Sequence, residues 1–108
     1  MEQYLFFDDL KQHTAVPEGG ILSRTLQNDD RSKVIHFTFA PGTELSAHTA
    51  PFPATLYFVE GTADVRLGSD QKKASAGAFV YMTPNLEHGI KAESEVVMLL
   101  TMLKNPAR

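Results

Sequence analysis

Histidines are the residues of this chain with the clearest potential for chemistry. The sequence has four, at positions 13, 36, 48 and 88, and it has no cysteine. Disulfides, thiolate nucleophiles and cysteine-based zinc sites are therefore excluded, and any metal must be held by imidazole and oxygen ligands. Imidazole suits zinc, iron, copper and nickel, although a catalytic metal usually has three protein ligands and a water.

Other kinds of active site have little support in the sequence. There is no Gly-x-Ser-x-Gly elbow and no glycine-rich phosphate loop, and the serines stand in turn or strand contexts without a visible base. A formal net charge of -3 gives no basic surface for nucleic acid. The N-terminal stretch fits neither a signal peptide nor a membrane span, so the sequence predicts a cytoplasmic protein with no membrane partner.

Short strands separated by glycine and proline turns are predicted along almost the whole chain. Residues 33–40 show the pattern well, because Ile35, Phe37 and Phe39 share one face and His36 lies on the other. The predicted strands are 21–27, 33–40, 43–48, 54–59, 62–67, 71–75, 78–82, 86–91 and 95–103. We expect one all-β domain over residues 1–108, a sandwich or barrel with its core at about 20–103, and a short helix at 7–12.

The last predicted strand, 95–103, is apolar on both faces. In a small antiparallel protein one face should meet water, so a second covering element is expected. Either the N-terminal segment or a second subunit would serve, and a homodimer is the simpler expectation. A charge at Met98 or Leu100 is then predicted to disrupt the dimer.

Two of the histidines, His48 and His88, lie in segments that begin with a glycine. Residues 42–61 read Gly-x5-His-x-Ala-x3-Ala-x6-Gly, and residues 77–88 read Gly-x5-Thr-Pro-Asn-x2-His. Together they resemble the two motifs of the cupin family, and the strand order and motif spacing extend the resemblance to nearly the whole chain. The resemblance implies a single-domain cupin jelly-roll barrel in which His48 and His88 face each other at the mouth.

The ligand positions of the cupin motifs are incomplete here. Ala50 stands where the family has its second histidine, and Ala54 stands where it has a glutamate. The resemblance therefore implies one of two roles for His48 and His88. They are either ligands of a metal such as Zn, Fe, Ni, Cu or Mn, or polar groups of a metal-free pocket. Alanine in place of the acid leaves space in the barrel mouth. The expected pocket residues are His48, Phe52, Ala54, Phe58, Met82 and His88.

Several of these assignments have a plainer alternative. Phe58 by itself is better explained as a core residue. Tyr57, on the opposite face of its strand, is expected to pack in a dimer interface or under the N-terminal segment. Glu44 shares strand parity with His48 and is a candidate inward ligand. His36 is expected to be exposed or interfacial, and His13 is expected to be solvated.

Two functions remain open on this basis. The first is a non-catalytic or regulatory protein that binds a small organic ligand, with or without a weak two-histidine metal site. The second is a metal-dependent cupin enzyme, of the dioxygenase or isomerase type, that uses His48 and His88. Non-heme iron usually requires two histidines and a carboxylate, and the expected carboxylate is missing.

Overall fold

Nine β-strands and no helix form the part of the chain that the structure describes. A computed structural model describes residues 3–12 and 19–104. The strands are β1 (Ile21–Asn28), β2 (Ser32–Phe39), β3 (Glu44–His48), β4 (Ala54–Glu60), β5 (Ala63–Leu67), β6 (Asp70–Ala74), β7 (Phe79–Met82), β8 (His88–Ala92) and β9 (Val96–Leu103). Among these residues there is also no helix long and apolar enough to cross a membrane.

The strands make two antiparallel sheets that enclose one apolar core. The five-stranded sheet has the order β1-β2-β9-β4-β7, and the four-stranded sheet has the order β3-β8-β5-β6. Side chains from both sheets meet between them, including Phe39, Phe58 and Met98 from the first and Val65 and Ile90 from the second. The predicted all-β class is confirmed, with each predicted strand shifted by no more than two residues at either end.

Alternation along the strands explains why these residues pair as they do. In β4, Ala54, Leu56 and Phe58 are buried, whereas Tyr57 is 41% exposed. This period of two is the pattern of a strand with one face on a core and one face outward. The inward face of β4 predicted from the sequence is the observed one.

The hairpin between β1 and β2 is closed by an aspartate. The carboxylate of Asp29 accepts hydrogen bonds from the backbone N–H groups of Arg31, at 2.8 Å, and Ser32, at 2.9 Å. These two bonds, that of Arg31 first, lower the pKa of Asp29 because they stabilise the ionised carboxylate. A turn of this kind is what the sequence predicts around residues 28–30.

Residues 7–12 do not form the predicted helix. Asp9 instead accepts a hydrogen bond from the backbone N–H of Lys11 at 2.9 Å, and its own carbonyl accepts one from Gln12 at 3.2 Å. A short polar side chain that bonds its own backbone favours a turn over a helix. The carbonyl of Leu10 accepts a hydrogen bond from His36 in β2 at 2.7 Å, so the segment lies against the outer face of the five-stranded sheet.

Candidate functional site

His48 and His88 are direct neighbours, although forty residues separate them in the sequence. They are paired residues of β3 and β8, and their ring centroids lie 4.4 Å apart with planes inclined by 54°. His88 is 8% exposed, whereas His48 is exposed at the surface. The site is therefore half open, with one buried and one accessible imidazole.

Backbone carbonyls orient both rings in the same way. Nδ1 of His48 lies 2.8 Å from the carbonyl oxygen of Ser46, and Nδ1 of His88 lies 2.9 Å from that of Leu86. A carbonyl oxygen can only accept, so each Nδ1 carries the hydrogen and donates it. In the neutral rings Nε2 is then the free acceptor nitrogen, available to a hydrogen-bond donor or to a metal.

A β-bulge in β3 turns His48 toward the site. Leu45 pairs with Ile90, but the next pair is His48 with His88, so β3 contains one extra residue between them. Gly89 makes room for this bulge, since a Cβ there would lie 3.1 Å from both the Leu45 carbonyl oxygen and the Ala47 nitrogen. Because of the extra residue, Leu45 and His48 both face inward.

The same bulge explains why Glu44 is not at the site. Sequence parity places Glu44 on the side of His48, but the extra residue reverses that relation. Glu44 pairs with Lys91 and is exposed. It lines an outer groove of the four-stranded sheet together with Asp64 and Arg66. Glu44 is therefore excluded as a partner of the two histidines.

A small cavity of about 60 Å³ opens beside the histidine pair. Its walls are His48, Ala50, Phe52, Ala54, Met82, Thr83, Leu86, His88, Leu100 and Met102. Five of the six pocket residues expected from the sequence are among them. The sixth, Phe58, is fully buried in the core and does not line the cavity.

Five further residues line the wall: Ala50, which stands at the position of the second histidine of the motif, and four residues that the sequence did not indicate. Leu100 and Met102 come from β9, the strand between β2 and β4. The sequence shows that Leu100 and Met102 share one face of β9. Because both faces of this strand are apolar, the sequence does not show which face turns toward the cavity. Thr83 and Leu86 come from the turn between β7 and β8, where no residue type indicated a pocket.

A three-ligand metal centre does not fit the residues that the structure describes. Within residues 3–12 and 19–104, no group of three histidine, aspartate or glutamate side chains is placed to hold a metal ion. His36 is 3% exposed and donates from Nε2 to Leu10 on the far side of the five-stranded sheet. His36 is therefore not exposed, contrary to one of the two sequence expectations, and its position at a subunit interface stays a prediction; His13 lies outside the described residues.

Two sheets around an apolar core, with a histidine pair at one end, define a small jelly-roll barrel of the double-stranded β-helix type. A sequence model of the cupin domain matches residues 35–103. The chain therefore belongs to the cupin family. The expected fold is confirmed, including the resemblance in the two glycine-bounded motifs.

Solved structures show the same fold over the whole chain. A conserved protein of unknown function from Streptococcus pyogenes is 24% identical, with a TM-score of 0.85 over 98% of this chain and 93% of that one. A cupin superfamily protein from Desulfitobacterium hafniense is 19% identical, with a TM-score of 0.84 over 97% and 95%. KdgF from Halomonas sp. is also 19% identical, with a TM-score of 0.77 over 95% and 96%. No curated protein sequence matches the chain.

Proposed function

We propose that this cupin is a non-catalytic or regulatory protein that binds a small organic molecule with one polar end. The observation that carries the proposal is a pair of imidazoles at the edge of an otherwise apolar cavity. Ligand sites usually combine mostly apolar walls with a few polar groups that fix orientation. His48 and His88 supply the polar groups, and Phe52, Met82 and Leu100 supply apolar wall.

The size of the cavity limits what enters it. A cavity of about 60 Å³ is small beside the roughly 300–1,000 Å³ of typical ligand pockets. Only the polar end of a ligand and a few neighbouring atoms fit inside, and the remainder must extend over the exposed His48. A neutral imidazole accepts at Nε2, so the polar end is a hydrogen-bond donor such as a hydroxyl or an amide N–H.

A second candidate is a metal-dependent cupin enzyme that uses the same two histidines. It is favoured by the hydrogen bonds from both Nδ1 atoms to backbone carbonyls, the arrangement commonly found behind metal-bound histidines. A bound metal would act there as a Lewis acid or redox centre. Two imidazoles alone hold such an ion weakly, in roughly the millimolar range or about 4 kcal/mol.

A ligand screen with a chelator separates the two candidates. Small alcohols, amides and hydroxy acids are tested for a rise in melting temperature of the protein, with and without EDTA. Thr49→Ala is the matched control, since Thr49 is exposed next to His48 but does not line the cavity. We expect a ligand whose effect survives EDTA and Thr49→Ala and is lost in His48→Ala and His88→Ala. A ligand effect abolished by EDTA would favour the metal-dependent enzyme instead.

A further inference from the structure

The wall of the cavity beside the histidine pair contains no aspartate, glutamate, lysine or arginine. Its ten lining residues are His88 and residues from three stretches of the chain, 45–59, 74–86 and 96–103. None of these stretches contains a residue of those four types at any position. The lack of charge therefore extends beyond the wall, along the segments that surround the mouth.

Two charged residues come closest in sequence to the lining residues, and both are engaged elsewhere. Glu87 forms an ion pair with Arg66 at 3.4 Å, on the outer face of the four-stranded sheet. Lys104 donates hydrogen bonds to Oδ1 of Asn28 at 2.6 Å and to the carbonyl oxygen of Asp29 at 2.7 Å, in the hairpin between β1 and β2. Both charges are directed away from the cavity.

β9 contributes to the uncharged wall from the inside of the barrel. From the sequence, a charge at Met98 or Leu100 is predicted to disrupt a dimer, and the structure corrects this prediction. Met98 is 1% exposed and belongs to the core, whereas Leu100 lines the cavity. A charge at either residue would therefore disrupt folding instead of association.

Burying a charged group in this cavity is costly for either sign of charge. A carboxylate only accepts hydrogen bonds, and it would meet the acceptor Nε2 atoms of two neutral imidazoles. An ammonium group can donate to Nε2, but the wall supplies no carboxylate to compensate its charge. A hydroxyl or an amide N–H satisfies Nε2 without carrying a charge into the cavity.

Phe52 lies at the mouth of the cavity on a backbone that is held on both sides. It stands between two prolines, and a residue before proline is restricted to extended conformations. The carbonyls of Ala50 and Pro53 accept hydrogen bonds from the backbone N–H groups of Asn85, at 2.8 Å, and Leu103, at 2.9 Å. The half-buried ring of Phe52 lines the cavity and also reaches solvent. An apolar group that extends out of the cavity can pack against this ring with little further ordering of the loop.

We infer that the ligand of this cavity is an uncharged alcohol or amide of an apolar group. Its donor lies on the histidine pair, and its apolar group packs against Phe52. This inference rests on the proposed function, because it assigns the ligand class of the same site. Carboxylic acids, phosphates and amines are excluded as ligands by the uncharged wall.

The first test compares four compounds that share one aromatic ring: benzyl alcohol, benzamide, benzoate and benzylamine. Binding is followed at pH 8, where free imidazole is neutral, by the ¹⁵N NMR signals of the His48 and His88 rings. We expect benzyl alcohol and benzamide to shift the Nε2 signals. They should bind at least about 10-fold more tightly than benzoate or benzylamine, because neither brings a charge into the cavity.

The outcomes of this comparison separate the inference from the proposed function. If benzoate or benzylamine shifts the same signals and binds as tightly as benzyl alcohol, the ligand site stands and the preference for uncharged ligands is wrong. If none of the four compounds shifts an Nε2 signal, the proposed ligand site fails together with the inference.

The second test measures the contribution of Phe52. Phe52→Ala should weaken the binding of benzyl alcohol about 3- to 10-fold, through loss of the contact between two aromatic rings. Phe79→Ala is the matched control, because Phe79 is 64% exposed on β7 and does not line the cavity. Phe52→Leu keeps an apolar side chain without a ring and provides the same comparison if Phe52→Ala does not fold. Equal affinity in the wild type and the Phe52 variant would overturn the contact with Phe52.

Discussion

Restoring the two missing family ligands should convert the site into a metal centre. Ala50 and Ala54 line the same cavity as His48 and His88, so Ala50→His/Ala54→Glu places four donors around one space. Complete four-ligand zinc sites bind with about 10–16 kcal/mol, which is roughly 3 kcal/mol for each ligand. Two added ligands should therefore contribute about 6 kcal/mol, equivalent to about 10⁴-fold in affinity. Imperfect geometry reduces this gain, and we expect at least about 100-fold over wild type.

The assay is competition for zinc or nickel against a chromophoric chelator. Thr49→His/Thr55→Glu is the matched control, because it adds the same residue types one position away from each alanine, at residues that do not line the cavity. Ala54 is 5% exposed, so its replacement by glutamate should lower stability without metal and regain it when metal binds. If the restored variant folds but binds no more tightly than the control, the alanines do not share a centre with the histidines.

Three further predictions concern the barrel. Gly61 has φ of 92° and a Cβ there would overlap the Glu95 carbonyl oxygen, so Gly61→Ala should lower the free energy of unfolding in urea by at least about 2 kcal/mol. Gly42 has φ of 82° but open space around it, so Gly42→Ala should lower the free energy of unfolding by only about 1 kcal/mol. Equal losses of stability in the two variants would contradict a close contact at Gly61. Phe58→Ala should lower stability by about 3–5 kcal/mol while ligand affinity stays unchanged, and a selective loss of affinity would place Phe58 at the site. The pKa of Asp29 is lowered in the folded protein, so its carboxylate stabilises the fold above about pH 4. This stabilisation is lost as the pH falls through the lower pKa of the folded state. The stability difference between wild type and Asp29→Asn should shrink below pH 4, and a difference independent of pH would refute this.

Much of the fold follows from period-two alternation and turn residues. In β4 the alternation assigns Leu56 to the core and Tyr57 to the outside, and both assignments hold in the structure. The histidine pair was reached through motif spacing and not through alternation, because contacts forty residues apart leave no local pattern. The sequence also did not show how close to the cavity each inward residue of a strand lies. Phe58 pairs with Met98 deep in the core, whereas Ala54 pairs with Met102 at the cavity.

Three features escaped prediction for physical reasons. The bulge in β3 inserts one residue and reverses the side on which Glu44 lies, although Gly89 in the facing strand is a recognised sign of close backbone approach. The predicted helix at 7–12 is replaced by a turn around Asp9. The outward face of β9 could not be chosen from the sequence, since both faces are apolar and only the pairing with β2 and β4 decides between them.

Metal content is the most direct test of our proposal that the histidine pair of this cupin barrel acts without a complete metal site. The measurement is elemental analysis of the purified wild-type protein, followed by titration with zinc, iron, copper, nickel and manganese. We expect substoichiometric metal and affinities no tighter than roughly the millimolar range. One tightly bound ion per chain, lost in both His48→Ala and His88→Ala, would contradict it.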